Sequence, residues 1–137
     1  MARPDYYLVS VEEDPDAAAK LWHERLRRHP YGSDGLVQVS YRGQQMIQAD
    51  AWDDVVGIWL ILTRVADAVE SRSELDDYFN GQPLPVRVQP KGRGASVTIG
   101  DVRTYVEANS FVAPLRAEAE RFFSWMETSV GLARPRN

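Results

Sequence analysis

Cysteine is absent from the 137-residue chain, and histidine occurs only twice. Without a thiol there is no thiol catalysis, iron–sulfur ligation, cysteine-rich zinc site or disulfide staple. The two histidines, His23 and His29, fall on one predicted helix six residues apart. They therefore point about 120° away from each other and miss the i,i+4 zinc spacing. The plainer reading is a solvated His23 and a His29 that complements the helix C-terminus. No apolar run approaches the roughly 20 residues that a membrane helix needs, the longest being Val55 to Leu62 with Gly57 inside it. The start, Met1-Ala2-Arg3-Pro4-Asp5, is followed by no secretory apolar region, so the expected compartment is the cytoplasm.

Motif searches for chemistry come up short as well. Ser33 sits in Tyr31-Gly32-Ser33-Asp34-Gly35 with no apolar strand ahead of it, which removes the nucleophile-elbow context. Neither a dinucleotide fingerprint nor a phosphate-binding P-loop occurs, so no nucleotide cofactor is indicated. The expectation is therefore no catalytic residue, no cofactor and no metal.

What is present is ordinary in amount and uneven in placement. The composition, 44% hydrophobic and 26% charged, is that of a globular domain. A chain of this size buries roughly two-thirds of its unfolded surface, enough for one core. Residues 1–80 carry 8 Lys+Arg against 15 Asp+Glu, a net of −7, and residues 81–137 carry 8 against 5, a net of +3, which together recover the −4 of the whole. The acidic half favours a basic partner and argues against nucleic acid. Lysine stands only at positions 20 and 91, and with frequent alanine this resembles the codon bias of a high-GC bacterium.

The element pattern begins with a strand at Tyr6–Val11. A helix from Asp14-Pro15 to about Arg28 should follow, burying Ala18, Leu21, Trp22 and Leu26. Val37, Val39 and Tyr41 alternate with polar residues, and Gly43-Gln44 suits a hairpin into a strand at Met46–Ala49. Asp53 to about Arg72 reads as a central helix, with Val55, Ile58, Trp59, Leu62, Val65, Ala66 and Val69 inside an arc of about 120°. Ser73–Gly81 reads as a short helical turn. Strands are expected from Val86, over Ala95–Ile99 and over Val102–Glu107. The last helix should be capped by Asn109 or Ser110, take Pro114 in its first turn, bury Leu115, Ala119, Phe122, Met126 and Val130, and end at Gly131. The predicted order is β-α-β-β-α-β-β-β-α. Hairpins dominate it, so the expected fold is a single α+β domain over 1–137, a mostly antiparallel sheet of five to six strands on three helices, with 131–137 as a frayed tail.

Carboxylates are the abundant reactive group, clustered at Glu12-Glu13-Asp14-Asp16, Asp50-Asp53-Asp54 and Glu74-Asp76-Asp77. Such clusters can hold a cation or move protons. Two of them fall at predicted helix N-termini, where carboxylates cap free N–H groups, and that reading is the stronger. Lys91-Gly92-Arg93-Gly94 resembles a phosphate-contacting turn. A hairpin loop would choose the same residues.

The oddest feature lies on the central helix. Val56 and Leu60 stand among Thr63, Arg64, Asp67, Glu70 and Ser71, opposite the core arc. Apolar residues framed by charge can mark a contact surface, the competing reading being that a loop or the first helix covers them inside the same domain. With Trp52 just before the helix, this points to a partner-binding face of Asp50, Trp52, Asp53, Asp54, Val56, Leu60, Arg64 and Asp67. The function expected is a non-catalytic protein-binding module, of which a bacterial toxin-neutralising (immunity) protein is one form. Homodimerisation through the apolar helix face is a further possibility. The alternative is an enzyme or small-ligand binder with a carboxylate pocket between sheet and helices.

Overall fold

A computed structural model describes residues 6–9, 24, 34–47, 53–79, 84–131 and 133. The strands are β1 (Tyr6–Val9), β2 (Asp34–Tyr41), β3 (Gln44–Gln45), β4 (Asp53–Asp54), β5 (Leu75–Tyr78), β6 (Pro85–Lys91), β7 (Gly94–Ile99) and β8 (Val102–Glu107). Helix α1 covers Val55–Ser71 and α2 covers Ala108–Trp125, continued by a π-helical turn over Met126–Val130.

The fold is α+β, but the expected single sheet on three helices is wrong. The described residues contain two helices and two separate sheets. In the first, β2 pairs antiparallel with β1, β3 and β4. The second is the meander β5-β6-β7-β8. The predicted helix over 14–28 lies outside the described residues except for Glu24, which is helical.

Side-chain bonds, and no backbone ladder among the described residues, link β2 and β3 of the first sheet to β8 of the second. Gln44 Nε2 donates to the Arg103 carbonyl at 3.1 Å, and the Glu107 N–H donates to the Tyr41 hydroxyl at 3.2 Å. A sequence shows which residues alternate, but alternation does not say which strand lies beside which.

Turn chemistry accounts for the hairpins. Tyr41 pairs with Gln44 across a two-residue turn whose members, Arg42 and Gly43, both take positive φ (50° and 83°), as a type I′ turn requires. The β6–β7 and β7–β8 turns are Gly92-Arg93 and Gly100-Asp101, each with its glycine first and at positive φ. Within the helical turn expected at Ser73–Gly81, of which residues 80–81 lie outside the described ones, Leu75–Tyr78 is instead β5. Its Asp76-Asp77 pair disfavours strand locally, but the antiparallel ladder from Leu75↔Val88 to Tyr78↔Pro85 prevails.

Helix α1 matches its periodicity, and every residue of the predicted arc is buried. Gly57, Ile61 and Ala68 are buried too, so at 3.6 residues per turn the covered surface extends over about 200° of the circumference. One helix therefore lies against both sheets and α2. Trp59 stacks on Phe122 of α2 at 5.9 Å, and Tyr41 meets Phe111 edge-on at 5.6 Å.

Helix α2 buries Leu115, Ala119, Phe122, Met126 and Val130 as its spacing predicts, and Gly131 follows at φ 81°. Its start differs from expectation. Glu107 occupies the N-cap position without a side-chain cap bond, and Pro114 lies inside the helix beyond the first turn. Ser110 already lies in the first turn, its hydroxyl engaged with the Tyr41 hydroxyl of β2 and within 3.3 Å of the Glu107 carbonyl.

Candidate functional site

The sequence-predicted face is divided by the structure. Asp50 and Trp52 lie outside the described residues. Asp53 pairs with Gly35 at the β4–β2 junction. Asp54 is not a surface group: it is 5% exposed and N-caps α1, its Oδ2 accepting from the Gly57 N–H at 3.1 Å. The capping role read for this carboxylate is thus observed.

The remaining four residues share one wedge. At about 100° per residue, Val56, Leu60, Thr63, Arg64, Asp67, Glu70 and Ser71 occupy the roughly 120° of α1 left over from the core. Val56 and Leu60, near its middle, are half-buried and pack against the core's edge. The charges around them are engaged. Arg64 Nη1 meets Asp77 Oδ2 of β5 at 2.7 Å, while Arg116 of α2 forks to Glu70 at 2.8 Å and Asp67 at 2.7 Å. These two hydrogen bonds, Glu70 first, raise the Arg116 pKa above its ordinary value. All five side chains keep substantial solvent access, so the pairs orient the charges more than they stabilise the fold.

A second assembly escaped the sequence reading. On the outward face of the meander, Lys91, Gly94 and Glu107 form one cross-strand row, and Gln89, Ser96 and Tyr105 form the next. Arg87, Thr98 and Arg103 make a third row, with Asp76 of β5 at its end. Tyr105 is 45% exposed. Its hydroxyl lies 3.1 Å from where a Gly94 Cβ would stand and 3.6 Å from that of Gly92, so the side chain reaches from β8 across β7.

Gly94 could carry no side chain in any case, because its Cβ would fall 1.9 Å from the Val106 carbonyl oxygen. Arg72, the left-handed C-cap of α1, braces the same hairpin by donating to the carbonyls of Gly92 at 2.8 Å and Gly94 at 3.5 Å. The Lys91–Gly94 stretch was recognised in the sequence. Its neighbours Tyr105 and Arg72 were not, since only strand register and the helix cap bring them there, and Arg103 lies beyond Tyr105 two rows from the turn.

Among the described residues, no group of three or more His, Cys, Asp or Glu could hold a metal ion. His23 and His29 lie outside those residues. No helix among the described residues is long and apolar enough to cross a membrane. Comparison with models of protein families, with characterised proteins and with solved structures gives no match.

Proposed function

We propose that the protein is a non-catalytic protein-binding module that docks a partner on the exposed wedge of α1, in the cytoplasm, with toxin neutralisation as one concrete form. The observation that carries this reading is the arrangement on the wedge: half-buried Val56 and Leu60 inside a rim of oriented ion pairs. Recognition surfaces combine an apolar centre with a polar rim. Side chains already held by Asp77 and Arg116 lose less freedom on docking than free ones. The rim comprises Asp67, Glu70 and Asp77 against Arg64 and Arg116, a net of −1, which suits a basic partner.

The test is affinity capture from native lysate with the wild type and with Leu60→Asp, the fold of each checked by circular dichroism and Tm. A specific, salt-sensitive partner that the wild type retains and Leu60→Asp loses supports the reading. A partner held equally by both refutes the assigned surface, and an empty capture refutes the module.

A further inference from the structure

We infer that the outward face of the β6–β8 hairpins binds single-stranded nucleic acid, with Tyr105 as a stacking platform and Lys91, Arg93 and Arg103 as phosphate contacts. This surface is separate from the α1 wedge, and the inference does not rest on the protein-binding reading.

Three observations converge on it. Tyr105 reaches over Gly94, a position that admits no side chain, and still leaves 45% of its surface to solvent. An aromatic side chain laid across a sheet over a glycine leaves a π-face free to stack on a base. Around it, Lys91, Arg93 and Arg103 are exposed and have no ion-pair partner among the described residues. Two of the carboxylates are compensated, Glu107 by Arg42 at 3.4 Å and Asp76 by Arg87 at 3.6 Å, while Asp101 stands in the β7–β8 turn at the end of the sheet away from Lys91 and Arg93. Finally, Arg72 spends its donors on the Gly92 and Gly94 carbonyls, which props the turn and adds a fourth cation beside it without a carboxylate.

The flatness of the site decides among anionic ligands. An open sheet face grips a lone nucleotide on one side only, whereas a strand repeats the stacking and phosphate contacts along its length. An acidic peptide would use the cations and leave the tyrosine face idle. The chain's overall charge of −4 does not conflict with this, because recognition responds to the local field and residues 81–137 carry +3.

The test is fluorescence anisotropy with a labelled oligothymidylate of about 15 nucleotides at about 50 mM salt. Expected is saturable binding whose log K falls with log salt at a slope of roughly −2, about −0.7 for each of three cations. Tyr105→Leu, which keeps Gly94 covered but removes the π-face, should weaken binding about tenfold, while Tyr105→Phe should retain it. Arg93→Glu, in an exposed turn, should weaken it at least as much. Arg121→Glu on α2 should leave it unchanged.

No binding at low salt overturns the inference. So do equal binding by Tyr105→Leu and wild type, an equal loss in Arg121→Glu, or displacement by dTMP or polyglutamate as effective as by unlabelled oligothymidylate.

Discussion

Thr104 offers the sharpest test of how the sheet meets the helices. It lies on the inward side of β8, 2% exposed and opposite Val97, and its hydroxyl has no hydrogen-bond partner among the described residues. Burying an unpaired hydroxyl costs about 1–3 kcal/mol by protein mutational measures. Thr104→Val replaces that hydroxyl with a methyl of nearly the same shape and a residue that favours strands. Expected is a stabilisation of about 1–2 kcal/mol, which for a domain of this size raises Tm by roughly 3–8 °C. Urea unfolding should show a higher midpoint at unchanged m.

Thr104→Ala, which removes the unpaired hydroxyl but leaves a void, should fall below Thr104→Val. Trp59 gives the contrast, since its Nε1 is also buried with no partner among the described residues but its ring stacks on Phe122. Trp59→Phe should therefore destabilise through lost volume. If Thr104→Val lowers stability by more than about 0.5 kcal/mol, the hydroxyl has a partner and the reasoning fails.

Two further stability predictions concern the backbone. Gly94→Ala should cost at least about 2 kcal/mol, because its Cβ meets backbone and not a movable side chain, whereas Gly43→Ala, with open space around it, should cost only the roughly 1 kcal/mol of a positive φ. Denaturant midpoints of the two variants check this, and equal losses would refute it. Asp54→Ala should cost about 0.5–2 kcal/mol through the lost cap, and Asp54→Ser should restore most of it, as read by thermal melts.

Legibility followed the range of the forces involved. The α1 arc, the α2 stripe from Leu115 to Val130 and the Gly131 terminus were readable because helical spacing and C-cap chemistry act within a few residues. The loop glycine Gly92 was readable for the same reason, but the first hairpin was displaced: its turn is Arg42-Gly43 and not Gly43-Gln44, and the strand that follows is Gln44–Gln45 where Met46–Ala49 was expected. β5 was not, since Asp76 and Asp77 become strand only through pairing with β6. The placement of four of the proposed face residues on α1 was legible, whatever their role. Periodicity placed Val56, Leu60, Arg64 and Asp67 on one side of α1, but it could not show that Asp77 and Arg116 would come from other elements to engage those charges.

By itself, the sequence determined the absence of thiol chemistry, the periodic faces of α1 and α2, and the capping carboxylate at the start of α1. These are consequences of residue type and short-range geometry. The tertiary structure decided that two sheets form and not one, because which strand pairs with which depends on partners far along the chain, and Tyr41 and Gln44 meet β8 through side chains. It also decided that Tyr105 lies beside Lys91 and Arg93, because cross-strand register depends on partners far along the chain.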